Sequence, residues 1–235
     1  MIKVQNLSYK YKNSNNILNN LNMEVYEGEI LAFVGENGSG KSTLGKLLSG
    51  ILKIKQGTIT IDDEDIRKYN YNKNIGIVFQ NPENQIVFSN IRDEMSFSLK
   101  YLSKEEIEER VITSLEKVKM HNITDKDLYE LSLGQKQRVV IAEILAKKAK
   151  YIVFDEPTTM IDSKGKEKIY EIIKELKKDG YTIVYITNLS EELLLADRIL
   201  ILENGKIVEE IKKEELIEKS NILLEHNIKL PLIIE

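Results

Sequence analysis

A glycine-rich stretch between two apolar segments constrains the fold of this chain more than any other feature. It covers residues 35–43 (G-E-N-G-S-G-K-S-T), after an apolar run at 30–34 and before the segment 44–48. Strand, glycine turn and helix in this order form a loop whose backbone N–H groups surround an anion at the positive end of a helix dipole. The stretch therefore predicts a phosphate-binding loop and, with it, a nucleotide site.

The residues of this loop have separate expected roles. Lys41 is expected to reach the outer phosphates of the nucleotide, and the Ser42 hydroxyl to bind Mg²⁺. The other loop residues expected at the nucleotide are Gly35, Asn37, Gly38, Ser39, Gly40 and Thr43.

Two carboxylates follow a second buried strand. Residues 151–154 form a continuous apolar run, which is typical of a strand buried on both faces of a parallel sheet, and Asp155 and Glu156 come directly after it. An acidic residue at the end of such a strand holds Mg²⁺ in phosphate-loop proteins, and Asp155 fits that role. Glu156 is then placed to accept a proton from an attacking water.

The order of apolar patterns predicts an α/β fold with a parallel sheet. Strands are predicted at 2–9, 23–25, 30–34, 57–62, 75–79, 151–154, 182–186, 198–203 and 206–209, the first two antiparallel and the last two a hairpin about Asn204-Gly205. Helices are predicted at 104–119, 135–148 and 163–179, the last one capped by Gly180. The first of them is expected to bury Ile107, Val111, Ile112, Leu115 and Val118.

These patterns divide the chain into a catalytic domain at 1–209 and a short C-terminal extension at 210–235. The helical block at about 84–148 interrupts the strand–helix alternation and is expected to be a subdomain. The extension is expected to start as a charged helix. Its apolar end, with Leu230, Leu232, Ile233 and Ile234, either covers a partner or packs on the chain's own sheet.

Composition narrows the function classes. The 235 residues carry a net charge of −4, which gives no support for a nucleic-acid partner, and the absence of cysteine excludes disulfides and thiolate chemistry. No apolar run approaches the roughly 20 residues that span a bilayer, so we expect membrane contact only through a partner or a surface.

Further motifs resemble those of the ATP-binding cassette family. Residues 131–135 (L-S-L-G-Q) resemble its LSGGQ signature, 79–80 (F-Q) its Q-loop and 159–162 (T-M-I-D) its D-loop. Tyr11 occupies the position of the family's aromatic platform for adenine, with Tyr9 as the nearby alternative. Together with the phosphate loop and the acidic strand, these motifs stand in the family's order and cover nearly the whole chain.

The resemblance implies a phosphate-loop ATPase core with a mainly parallel sheet, an antiparallel β subdomain and an inserted helical subdomain. It also implies that two cassettes pack head to tail, so that Ser132, Gly134 and Gln135 of one meet the γ-phosphate of ATP bound to the other. Gln80 is implied to bind Mg²⁺ and to take part in catalysis.

Two residues depart from the family pattern. Leu133 replaces the first glycine of the signature, a change of small cost unless that position needs a positive φ. Asn188 stands where the family has a histidine that contacts the γ-phosphate and orients the catalytic water. Because asparagine donates hydrogen bonds but shuttles no proton, we expect good ATP binding with slow hydrolysis at this chain's own site.

The run Q-N-P-E-N-Q at 80–85, with Arg92, Asp93, Glu94 and Phe97 beyond it, resembles the ATPases of energy-coupling factor (cobalt-type) transporters, which import vitamins or transition-metal ions. This implies a second, paralogous cassette, a transmembrane coupling subunit docked in a groove beside Gln80, and a substrate-binding membrane subunit. The expected location is the cytoplasmic face of the cell membrane. Two alternatives stay open: a regulatory cassette with little turnover of its own, and a soluble ATPase without a transport role.

Overall fold

The computed structural model describes residues 1–12, 15–68 and 74–231. Its strands are β1 (Ile2–Tyr9), β2 (Leu18–Val25), β3 (Ile30–Val34), β4 (Gln56–Ile61), β5 (Glu64–Asp65), β6 (Ile75–Val78), β7 (Tyr151–Asp155), β8 (Thr182–Ile186), β9 (Arg198–Glu203) and β10 (Lys206–Lys212). Its α-helices are α1 (Lys41–Leu48), α2 (Ile91–Phe97), α3 (Lys104–Lys117), α4 (Leu133–Ala146), α5 (Ser163–Lys178) and α6 (Ser220–Glu225). Short 3₁₀ helices lie at Ile66–Lys68, Pro82–Asn84, Leu128–Glu130, Ser190–Leu195 and Lys213–Glu215.

The strands form two sheets. One sheet has the order β10-β9-β3-β8-β7-β6, and every neighbouring pair in it is parallel except the β9–β10 hairpin. The other sheet is antiparallel, with the order β2-β1-β4-β5. Both the parallel core and the antiparallel N-terminal strands predicted from the sequence are therefore confirmed.

The parallel sheet separates two apolar cores. Successive side chains of β3 point to opposite faces, so Leu31 and Phe33 join one core while Ile30, Ala32 and Val34 join the other. The first core lies between the sheet, α1 and the antiparallel strands; the second contains the side chains of the helical block and α5. Strands buried on both faces explain why 30–34, 151–154 and 183–186 are continuously apolar.

Local capping sets the ends of the helices. Ser103 and Glu106 form a capping box at the start of α3, and the Asp162 carboxylate accepts a hydrogen bond from Gly165 N at the start of α5. Gly180 follows the C-terminus of α5 with a φ of 84°, as predicted. The hairpin turn at Asn204-Gly205 is confirmed as well, with both residues at positive φ.

One core residue predicted for α3 is wrong. Ile112 is 41% exposed, whereas Val111 and Leu115 are buried. Successive helical residues are about 100° apart, and the face of α3 that meets the core is too narrow to include both Val111 and its neighbour. The helix also ends two residues earlier than predicted, and Arg138 donates hydrogen bonds to the Val118 and Lys119 carbonyls just beyond its end.

The charged helix predicted from residue 210 is also wrong. Strand β10 continues to Lys212, because Glu210 and Ile211 pair with Leu200 and Ile199 of β9. Ile211 is fully buried there, which favours continued pairing over a solvated helix. The strand thus crosses residues 209–210, where the sequence places the domain boundary, and that boundary remains a prediction.

The segment after β10 packs on the chain's own core. Leu216 and Leu223 are buried in the helical-side core, and Ile228 and Leu230 pack against it. The structure therefore supports the second alternative for Leu230, whereas Leu232, Ile233 and Ile234 lie outside the described residues. Within the described residues, no helix is both long enough and apolar enough to cross a lipid bilayer.

Candidate nucleotide-binding site

The loop between β3 and α1 requires glycine at two points of close approach. Gly35, with φ of 142°, lies so near the backbone of β9 that a Cβ there would be 2.1 Å from the Leu202 carbonyl oxygen. Gly40, with φ of 109°, would place a Cβ 2.7 Å from the Leu18 side chain. Because backbone and core surround these positions, only glycine keeps the loop wrapped tightly over the start of α1.

The start of α1 has the properties of an anion site. Gly40 is its N-cap residue and provides no side-chain cap for the N–H groups of the first turn. The Ser39 hydroxyl is buried and has no hydrogen-bond partner among the described residues. Uncapped N–H groups, a helix dipole and an orphaned hydroxyl together fit a bound phosphate.

Lys41 folds back over the same loop. It is buried, and its Nζ donates hydrogen bonds to the carbonyl oxygens of Gly35, at 2.6 Å, and Glu36, at 2.9 Å. Burial lowers the pKa of Lys41, and the negative charges of Glu156 and Asp155 oppose that effect. A phosphate beside the ammonium group would favour its charged form further.

Ser42 and Asp155 meet at the ends of α1 and β7. The Ser42 hydroxyl donates to Asp155 Oδ1 at 2.8 Å, although the two residues are 113 positions apart. Burial raises the pKa of the Asp155 carboxyl, and the Ser42 hydrogen bond opposes the rise. A hydroxyl and a carboxylate fit Mg²⁺, which takes one or two carboxylates and completes its coordination with phosphates and water. The described residues contain no cluster of three or more His, Cys, Asp and Glu suited to a metal.

Glu156 and Asn188 form a hydrogen-bonded pair beside the phosphate loop. Asn188 Nδ2 donates both to Glu156 Oε1 and to Asn37 Oδ1, each at 2.9 Å. Burial raises the pKa of the Glu156 carboxyl, and the neighbouring Asp155 charge raises it further. A raised carboxyl pKa brings a general base closer to its working pH. The residue in the histidine position thus holds the candidate base instead of pointing away from it.

Tyr11 and Tyr9 differ in exposure. The Tyr9 ring is buried, whereas Tyr11 is 39% exposed, packs edge-on against Tyr9 at 5.1 Å and places its hydroxyl 3.3 Å from Thr43 Oγ1. Only a ring with an accessible face can stack on a base, so the structure favours Tyr11 over the alternative.

The signature motif opens helix α4. Ser132 Oγ accepts from Gln135 N at 3.3 Å, and Gln135 Oε1 accepts from Ser132 N at 2.9 Å, which makes a capping box. Leu133 begins the helix and is not among the residues with positive φ, so leucine meets no strain there. Gly134 lies against Ile161 and Gly165, where a Cβ would be 3.1 Å from Ile161 Cγ2.

The structure does not unite all of the predicted residues. In the described part of the chain, the hydrogen bonds of Ser132 and Gln135 stay within the signature motif, and none reaches the phosphate loop. Gln80 is exposed and has no hydrogen bond to Ser42 or Asp155 there. The chain's own fold therefore assembles only one side of the predicted nucleotide site.

Comparison with known proteins decides the family. The sequence model of the family described as ABC transporter matches residues 18–159, more than half of the chain. The chain belongs to the ABC transporter family. The expectation of an ABC-type ATPase is thereby confirmed.

Curated relatives of this cassette carry a narrower description. The energy-coupling factor transporter ATP-binding protein EcfA1 of Fusobacterium nucleatum is 40% identical over 212 residues, covering 88% of this chain and 80% of that protein. The EcfA1 protein of Clostridioides difficile is 41% identical over 216 residues, covering 88% and 78%. The predicted resemblance to energy-coupling factor ATPases is confirmed at this level.

Solved structures agree with the fold of the cassette. CbiO1 from Clostridium perfringens, described as part of the ABC transporter complex cbiONQ, matches with a TM-score of 0.83 and 32% identity over 99% of this chain and 96% of that one. The dimeric cassette MJ0796, in a post-hydrolysis state bound to ADP and Pi, matches with a TM-score of 0.80 and 29% identity, covering 91% and 99%.

Sequence reasoning missed two contacts that tie the signature helix of the cassette to its Q-loop. Gln137, fully buried, donates from Nε2 to the Phe79 carbonyl at 2.8 Å, and Lys136 Nζ contacts Glu83 Oε1 at 2.6 Å. The available signal was the polar run at 136–138, which directly follows the signature and precedes the mainly apolar segment 139–146 of the same helix. Those two contacts connect the helix that carries the signature to residues 79 and 83 of the Q-loop segment.

Proposed function

We propose that this chain is the ATP-binding and ATP-hydrolysing subunit of an energy-coupling factor importer. The observation that carries the proposal is the meeting of Ser42 and Asp155 at 2.8 Å under a glycine loop, with Glu156 next in sequence and bonded to Asn188. The names of the relatives support the narrower class of transporter. Vitamins or transition-metal ions are the proposed cargo.

Each residue of the site has a part in this proposal. Tyr11 stacks on adenine, the loop N–H groups and Lys41 hold the phosphates, and Glu156 accepts a proton from the attacking water. Ser42, Asp155 and Gln80 would hold Mg²⁺, which would neutralise negative charge on the nucleotide phosphates. Gln80 and Asn188 orient the water, and Asn188 also fixes the Glu156 carboxylate.

The other half of the site comes from a second cassette. Ser132, Gly134 and Gln135 lie at an exposed helix start that contacts no phosphate loop within the described chain, as a site shared between two subunits requires. The match to a dimeric cassette supports this arrangement. A paralogous cassette is the proposed partner, because Asn188 leaves this chain's own site without a proton-shuttling switch.

An apolar cavity is the proposed seat of the membrane subunit. It has a volume of about 690 Å³ and lies between the end of α1 and the Q-loop. Its apolar lining includes Ile51, Leu52, Ile54, Ile66 and Phe79. Arg67 and Lys147 also line it, and each forms an ion pair, with Asp65 and Glu143 respectively. Such a groove suits an amphipathic helix from a transmembrane coupling protein. The chain would then be peripheral, at the cytoplasmic face of the cell membrane.

A regulatory cassette with little turnover is the second candidate function. The specific observation in its favour is that both N–H bonds of the Asn188 amide are already directed to protein oxygens, on Asn37 and Glu156. Neither is then free for a γ-phosphate without rearrangement.

The decisive experiment is thermal unfolding of the full chain with and without Mg-ATP. Ligand at 100 times its Kd stabilises the native state by about 2.7 kcal/mol, which raises the melting temperature by several degrees. Lys41→Ala is expected to abolish this shift, whereas Lys174→Ala, on the exposed face of α5, is expected to keep it. A Lys41→Ala protein that retains full protection would contradict the proposed site.

A further inference from the structure

A buried carboxylate lies beneath the two loops that carry the hydrolytic residues. Glu192 belongs to the 3₁₀ helix Ser190–Leu195 and is only 1% exposed. Among the described residues, no ion pair joins it to a lysine, arginine or histidine side chain. A carboxylate buried without a cation needs hydrogen-bond donors in compensation.

Four hydroxyl groups provide that compensation. Glu192 Oε1 accepts from the hydroxyls of Thr158, of Tyr185 at 2.9 Å and of Tyr170 at 3.1 Å. Glu192 Oε2 accepts from the hydroxyl of Thr187. Burial is the largest cause that raises the pKa of Tyr170 and Tyr185, and the Glu192 charge is the second. Their phenols therefore stay protonated and continue to donate.

Two of these four donors belong to the catalytic loops. Thr158 comes two residues after Glu156 and begins the turn in which Ile161 N donates to its carbonyl at 3.0 Å. Thr187 directly precedes Asn188, and its hydroxyl also accepts from Leu189 N at 2.9 Å. Both threonines are 1% exposed, so neither hydroxyl has an alternative partner in solvent.

We propose that Glu192 is a positioning residue that sets the placement of Glu156 relative to Asn188. It acts through Thr158 on one loop and Thr187 on the other. The 2.9 Å contact between Asn188 and Glu156 is the geometry that this arrangement maintains. The inference rests on the proposed function, in that Glu156 is taken to act on the attacking water.

The two threonine contacts can be removed one at a time. Thr158→Val and Thr187→Val preserve side-chain shape and delete one hydroxyl each. We expect each to lower kcat about 10-fold and to leave KM for Mg-ATP within about twofold, because the phosphate loop is intact while the base is displaced. Tyr170→Phe is the matched control. It removes a hydroxyl that donates to the same Glu192 carboxylate, but Tyr170 lies on α5 and not on a catalytic loop, so kcat is expected to change less than twofold.

A second measurement needs no nucleotide. Hydrogen–deuterium exchange on the full chain compares Glu192→Gln with the wild type. The amide keeps the shape of the side chain but brings a donor where the hydroxyls need an acceptor. We expect faster exchange both at 158–162 and at 187–189, two segments far apart in sequence, with the strands β7 and β8 unchanged.

Equal losses of kcat in all three hydroxyl variants would overturn the proposal, since they would show a general packing role. Unchanged exchange in Glu192→Gln would overturn it as well. An assembled complex with the second cassette that hydrolyses no ATP at this chain's own site would instead defeat the proposed function, and the exchange experiment would then decide the positioning role by itself.

Discussion

At the scale of single residues, the least usual feature of the site is the amide at position 188. Its two hydrogen bonds, to Glu156 and Asn37, join the loop after β8 to the end of β7 and to the phosphate loop. An imidazole there could donate to phosphate and also transfer a proton, whereas the amide forms hydrogen bonds but transfers no proton. Asn188 therefore holds Glu156 and Asn37 in place but provides no proton transfer.

Asn188→His is expected to raise the ATPase rate of the assembled complex. Loss of one positioned donor in an active site typically costs about 10²–10³ in rate, so restoring a histidine can recover up to that range. The measurement is kcat at saturating Mg-ATP, with Asn188→Ala as the control that removes the amide altogether. An unchanged rate in Asn188→His would remove position 188 as the cause of slow turnover.

The raised pKa of Glu156 makes a prediction about pH. A general base acts only when deprotonated, so the rate falls as pH drops through its pKa. Because burial and Asp155 raise that pKa, the acid limb of the kcat profile is expected above the pH at which an ordinary glutamate titrates. Glu156→Gln should abolish turnover at every pH while ATP still protects against unfolding; an acid limb at the ordinary glutamate value would contradict the assignment.

At the scale of elements, helix α4 connects the parts of the cassette that a partner contacts. Its N-terminus carries the signature, its Gln137 and Lys136 reach the Q-loop, and its Gly134 lies against Gly165 of α5. Gly165 in turn packs under Ile161, where a Cβ would be 2.4 Å from Ile161 Cγ2. The absence of side chains at 134 and 165 lets the signature helix and the D-loop approach each other.

Gly165→Ala is expected to lower the free energy of unfolding by about 1–3 kcal/mol, because the added methyl group must displace the branched Ile161 side chain. Chemical denaturation of the full chain measures the effect, and Lys164→Ala, on the neighbouring exposed position, is the control. The double variant Gly165→Ala/Ile161→Ala should lose less unfolding free energy than the sum of the losses in the two single variants, because the two side chains contact each other. A Gly165→Ala chain as stable as the wild type would show that the two helices separate at no cost.

At the scale of the whole molecule, the chain provides two incomplete halves of a site in separate parts of its fold. The phosphate loop lies at the carboxyl ends of the parallel strands, and the signature lies on the helical block. Within the described chain, the hydrogen bonds of Ser132 and Gln135 do not reach the phosphate loop. This division supports the proposed pair of cassettes, for which the apolar groove beside the Q-loop is the proposed contact with a membrane protein.

Co-expression with a paralogous cassette from the same genome is expected to yield a one-to-one complex. Size-exclusion chromatography with light scattering gives the stoichiometry, and ATP hydrolysis by the complex should exceed that of either chain alone. As a control, Ser132→Arg should reduce hydrolysis at the partner's site by placing bulk at the shared interface. A stable homodimer of this chain with full activity would contradict the need for a paralogue.

The sequence by itself determined the parts of this protein that depend on local pattern. Continuous apolar runs predicted β3, β7 and β8, because a strand buried on both faces has no polar side. The glycine loop predicted its own site, because only glycine adopts the backbone angles and close approaches seen at Gly35 and Gly40. The departure at Asn188 was also visible in the sequence, because the family motif has a histidine at that position.

Tertiary structure alone decided what depends on packing between distant segments. The exposure of Ile112 and the extension of β10 through Ile211 follow from which surfaces neighbouring elements cover, and no periodicity in the sequence encodes that. The burial of Glu192 under four hydroxyls from three other segments is likewise absent from any local pattern. These contacts form only when the sheet brings the ends of β7 and β8 together. The role of Glu192 could therefore be inferred only from the tertiary structure.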